Sequence, residues 1–172
     1  MNPFKYIGRF VFMVLIQALF LNQLETGLGV QGMIYPLFLL FLPVEISVIF
    51  LLTIAFVMGM CIDAMSNTYG LHASALLAVA FSRPFIFDLF APRDGYDPLI
   101  EPDIFSMGHS WFFKTYGLLL LIHHLWFFSL EMFKFSEILL IMQKTLLSVL
   151  FSYILSILVH YLLVKRPKKN EI

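Results

Sequence analysis

Asp63 ends a long apolar run. Seventeen residues, Ile46–Ile62, separate it from Glu45 without a charge. An acid in that position suggests ion or proton chemistry, a contact with a partner, or a solvated helix end. It can also act as a polar lock, bonding the backbone donors of the next helix or pairing with a neighbouring one. Acids near membrane depth are costly unless satisfied, which favours the lock. The surrounding stretch, Gly59–Ser82, reads GMCIDAMSNTYGLHASALLAVAFS. After Asp63 comes a short polar turn. Asn67 or Thr68 can cap a helix there, Gly70 allows a close turn, and His72 opens the second apolar run. Asp63, Asn67, Gly70 and His72 are therefore the candidate lock.

Other polar residues sit inside apolar runs. His123-His124 falls about nine residues beyond Lys114, roughly 13 Å along a helix. Adjacent helical residues point about 100° apart, so the pair is poorly placed to ligate one metal ion. Bonding to neighbouring helices is the preferred reading, with a proton or substrate path as the alternative. Lys144, Ser148, Ser152, Ser156 and His160 recur every fourth residue and form one slowly drifting ridge. The serines either bond back to their own helix or face a partner helix. Ser74, Ala78 and Ser82, together with Ala55 and Gly59, supply small residues that let helices approach closely.

No H-E-x-x-H, G-x-S-x-G or phosphate-binding loop is present, and no Ser/His/acid set can be placed by spacing. No cofactor, metal site or enzymatic activity is expected. Cys61 is the single cysteine, so no intramolecular disulfide or CxxC site can form.

The elements that must position these residues are membrane helices. The chain is 60% hydrophobic and 13% charged, against about 25% charged in soluble domains. Continuous Leu/Phe/Ile runs exclude a barrel, whose strands alternate polar and apolar. Zero net charge gives no electrostatic ground for binding nucleic acid. The expected fold is an all-α integral membrane protein, a single transmembrane domain of six helices with both termini cytoplasmic. The spans fall at about 6–24, 28–42, 46–62, 71–90, 115–130 and 138–164. The first is read as a retained helix, since no A-x-A-like cleavage site follows it. The second is short and holds Pro36, so it must start in the glycine turn or insert partially. Lys5 and Arg9 at one end and the basic tail 165–172 at the other place both ends inside. The loop 92–114 then becomes cytoplasmic. Its Arg93, Asp94, Asp97, Glu101 and Asp103 form either a solvated loop or a docking surface, and their spacing does not match an EF-hand.

Gly59–Asp63 followed by Ser66–Ala73 resembles the rod shape-determining MreD family. Its pattern is an apolar run ending in Asp, a small polar turn, Gly-Leu-His and an alanine-rich helix. Arg83-Pro84-Phe85 and Pro92–Tyr96 resemble the branch found in bacteroidete-type bacteria. The likeness extends over most of the chain. It implies a non-enzymatic, multi-pass inner-membrane scaffold of the cell-elongation machinery (the elongasome), acting in cell shape and lateral peptidoglycan synthesis. Its implied partners are MreC first, with MreB, RodA and the elongation transpeptidase in the same complex. The family is also distantly similar to the substrate-binding subunits of energy-coupling-factor transporters. That similarity implies an alternative, a subunit binding a small vitamin-like molecule.

Overall fold

The computed structural model describes residues 3–24, 29–98 and 101–164. The basic tail 165–172 and part of the glycine turn lie outside the described residues. All regular structure among the described residues is helical. The helices are α1 (Pro3–Leu19), α2 (Pro36–Phe41), α3 (Val48–Ser66), α4 (Leu71–Leu89), α5 (Ile104–Met107), α6 (His109–Met132) and α7 (Ile138–Leu163). Three segments are long and apolar enough to cross a membrane: α1 with the 3-10 turn after it (Pro3–Gln23), α3 and α7.

The segment 28–42, where the sequence predicts a span, contains no long helix in its described part. Residues 29–34 form no regular structure, and α2 has only six residues. Proline at its first position suits a helix start, where the missing N–H has no intrahelical acceptor. From Gly32 to Leu42 this segment is buried on every side. It forms the axis of the molecule, with α1, α4 and α6 packed around α2. Non-helical backbone in an apolar interior must find hydrogen-bond partners outside its own segment, and those partners define the site described below.

α3 and α4 form the most extensive helix pair. Gly59 allows it: a Cβ at that position would collide with the Ala73 backbone. The buried face of α4 includes His72, Leu76, Val79, Arg83 and Ile86, with Ala73 and Ala80 beside them. Ser74, Ala78 and Ser82 lie half-buried next to that stripe. Ser74 Oγ donates to Leu71 O at 2.9 Å and Ser82 Oγ to Ala78 O at 2.8 Å, both within their own helix. The helix continues through Pro84 to Leu89. In the connector, Asp103 caps α5 by accepting from Phe105 N and Ser106 N at 2.7 and 2.8 Å. Gly108, at φ 83°, turns the chain into α6, which begins at His109 rather than near Thr115.

Candidate functional site

The polar residues of the interior bond to one another and to the non-helical stretch. α7 turns a narrow polar stripe inward: Thr145, Ser148, Ser152, Ser156 and His160 are each fully buried, while Leu139, Leu150, Ile154 and Leu158 face outward. Ser148 Oγ accepts from Gln31 N at 3.0 Å and Ser152 Oγ from Met33 N at 2.8 Å. From the opposite side, Gln17 of α1 brackets the same stretch. Its Oε1 accepts from Ile34 N at 3.0 Å, and its Nε2 donates to Gly32 O at 2.9 Å. Two helices thus supply the partners that the segment lacks as non-helical backbone. Gly32 lies against Phe151 of α7, whose ring would stand 2.9 Å from an added Cβ. Ser148 and Ser152 therefore bond across to another segment of the chain rather than back to their own turn.

The histidines extend this network. His124 Nδ1 lies 2.9 Å from Leu120 O, an atom that only accepts, so Nδ1 carries the proton. In the neutral ring Nε2 then accepts from the Ser152 hydroxyl at 2.9 Å. Gln31 O, 3.3 Å from the same hydroxyl, is the alternative acceptor. Tyr35 Oη stands 2.7 Å from both His72 Nδ1 and His123 Nε2. His123 Nδ1 is buried without a partner. The arrangement that orphans no N–H has His123 Nε2 donate to Tyr35 and Tyr35 donate to His72 Nδ1. Further along α7, Ser156 pairs with Tyr116 Oη at 2.6 Å, and His160 Nε2 accepts from Ile104 N at 3.3 Å. Among the described residues no group of three His, Cys, Asp or Glu side chains is placed to hold a metal ion.

Asp63 lies at the end of α3 and is 4% exposed. Its Oδ1 accepts from His72 N at 3.1 Å and its Oδ2 from Ala73 N at 2.9 Å. The Thr68 hydroxyl donates to Oδ1 as well. Gly70, at φ 93°, is the N-cap residue of α4 and has no side chain to cap with, so Asp63 caps α4 from the preceding helix. Asn67, at φ 54°, closes α3 in the left-handed conformation that ends many helices.

Two arginines lie in the interior at the opposite end. Arg83 is 1% exposed; its Nη2 donates to Leu42 O and Pro43 O at 2.5 and 3.1 Å, which satisfies carbonyls at the end of α2. Its guanidinium lies 4.2 Å from the centre of the Phe87 ring. Arg9 sits 4.7 Å over Phe41 and donates to Glu101 at 2.9 Å, while Lys5 donates to the same carboxylate oxygen at 2.8 Å. Burial alone raises the Glu101 carboxyl. Hydrogen bonds from Lys5, Tyr6 and Arg9, with the charge of Arg9, outweigh burial and hold it below the usual carboxylate range. Glu101 and Asp103 therefore tie the connector down, whereas Arg93, Asp94 and Asp97 are exposed. Sequence reasoning did not assign Gln17, Tyr35 or Arg83 to a site. For Gln17 and Arg83 the signal was present, a polar side chain alone in an apolar run. Tyr35 carried none.

A cavity of about 470 Å³ opens at the Asp63 end. Asn22, Gln31, Ser66, Thr68, His72 and Glu131 form its polar wall, and Leu24, Leu71 and Phe127 part of its apolar wall. The fold and site define an all-helical protein, with helices of membrane-crossing length, built around a buried polar seam. No family model, no curated protein and no solved structure matches the chain.

Proposed function

We propose that this chain is a non-enzymatic, six-span scaffold of the bacterial inner membrane, with both termini cytoplasmic, that supports cell elongation by binding MreC. The observation that carries the reading is the state of Asp63. The stretch that resembles the MreD family contains one acid, and its carboxylate is engaged by Thr68, His72 N and Ala73 N. The motif thus acts as a structural lock between α3 and α4, as a scaffold requires. The outward side chains of α3 and α7, among them Ile49, Phe50, Leu150 and Leu162, are apolar and exposed. They suit lipid or the transmembrane helix of a partner. MreB, RodA and the elongation transpeptidase belong to the same proposed assembly. The test is depletion in the host: rods should become round while division continues. Unchanged cell shape with an undisturbed MreC complex contradicts the reading.

A second reading, a small-molecule-binding subunit of a membrane transporter, is favoured by the cavity at the Asp63 end. A metabolite that stays bound through purification and is identified by mass spectrometry supports it.

A further inference from the structure

α7 ends where a cluster of positive charge begins. Lys165, Arg166, Lys168 and Lys169 follow Val164 directly in the sequence, with one acid, Glu171, after them. One turn before that point, His160 Nε2 accepts from Ile104 N at 3.3 Å, and Tyr161 Oη stands 3.3 Å from His109 Nε2. The end of α7 therefore lies beside the connector.

Most other charges at this end already have partners. Arg83 is buried on the carbonyls of Leu42 and Pro43, and Lys5 and Arg9 both hold Glu101. Asp103 is turned to the backbone of α5. The exposed carboxylates are Asp88, Asp94 and Asp97, on α4 and the connector. A solvent-exposed ion pair with one of them is worth little. A run of cations directly after a membrane helix is instead drawn to an anionic headgroup layer, each charge adding its own attraction.

Below the cluster, α7 presents an apolar row. Leu150, Ile154, Leu158 and Leu162 recur every fourth residue and are 58–78% exposed. From Leu150 to Leu162 the row runs about 18 Å at 1.5 Å per residue. Half the hydrocarbon core of a bilayer is about 15 Å. The row thus matches the acyl region of one leaflet, and it stops three residues before Lys165. An amphiphile with its chain along the row has its head at the cluster.

We infer that the end of α7 binds an anionic phospholipid, its acyl chain along Leu150–Leu162 and its headgroup phosphate on the cations at 165–169. The inference rests on the membrane reading of the chain and is independent of MreC.

The full chain in an uncharged detergent is titrated with dioleoyl phosphatidylglycerol or dioleoyl phosphatidylcholine, and native mass spectrometry counts bound lipid. Phosphatidylglycerol should bind about tenfold more tightly or better. That preference should fall when ammonium acetate is raised from about 0.1 M to about 0.5 M. Lys165→Gln, Arg166→Gln, Lys168→Gln and Lys169→Gln together should remove it, and Lys134→Gln, at the opposite end of α7, should not. Equal binding of the two lipids by the wild type overturns the ligand class. A preference unchanged in the fourfold variant overturns the site. Displacement of phosphatidylglycerol by millimolar inorganic phosphate shows a free-anion site and overturns the lipid. A preference that emerges only in Asp94→Asn places the cations on the connector and overturns the inference. A lipid-free dimer in the spectrum puts a second copy on the row and overturns it as well.

Discussion

Met33 and Ser152 are joined by a 2.8 Å hydrogen bond that spans 119 residues of sequence, from a backbone N–H to a serine hydroxyl. The bond accounts for a non-helical stretch at the centre of an apolar bundle. A buried backbone donor without an acceptor costs about as much as a lost hydrogen bond and its desolvation. Ser152 supplies the acceptor for Met33 and a hydroxyl proton for His124 Nε2.

Ser152→Ala should therefore destabilise the protein by about 1–3 kcal/mol, because it leaves Met33 N–H and His124 Nε2 without partners. Leu150→Ala, two residues away and 64% exposed, should be nearly silent. Thermal unfolding in detergent compares the two. Equal effects would remove the serine from the account.

Asp63→Ala removes the cap of α4 and should cost about 1–3 kcal/mol. Asp63→Asn keeps one acceptor oxygen and should cost less. Hydrogen exchange at His72 and Ala73 reads the lock directly, and both amides should lose protection in Asp63→Ala. If folding, MreC assembly and exchange are all unaffected, Asp63 is only a solvated helix end.

Two glycines should respond with opposite signs. At Gly59 an added methyl group meets the Ala73 backbone, so Gly59→Ala should cost about 1–3 kcal/mol of overpacking. At Gly117, within α6, nothing lies within 4 Å of an added Cβ. There Gly117→Ala should be neutral or stabilising, by up to about 1 kcal/mol of helix propensity. Unfolding midpoints of the two variants decide.

Glu101 predicts an acid-sensitive connector. Its folded pKa is depressed, so its contribution is fully present above the ordinary glutamate value and is lost as pH falls through the lower folded one. Wild-type stability should therefore drop in the acid range below about 4.3 more steeply than that of Glu101→Gln. Superimposable pH profiles for the two proteins would show that Lys5 and Arg9 do not hold the carboxylate.

Local signals made part of this structure legible. The turn after Asp63 was visible because an acid, a small polar run and Gly70 follow one another within eight residues. The ridge of serines on α7 was visible as a spacing, although its partner was not. Whether those hydroxyls bond their own turn or another segment depends on residues 31–33, more than a hundred positions away. The non-helical backbone within segment 28–42 was hidden for the same reason. Its apolar composition reads as a span, and what permits non-helical backbone there is Gln17 on one side and Ser148 and Ser152 on the other. Arg83 stands beside Pro84 at the end of an apolar run, with no bonding partner near it in sequence. Only the end of α2 against it shows why a guanidinium is buried.

Recovery of MreC with this protein from the host's own membranes, using the full chain in mild detergent with cross-linking, tests the scaffold reading most directly. The account predicts that MreC is retained by the wild type and that its recovery falls in Asp63→Ala. Absence of MreC from the wild-type complex, in membranes that contain both proteins, contradicts it.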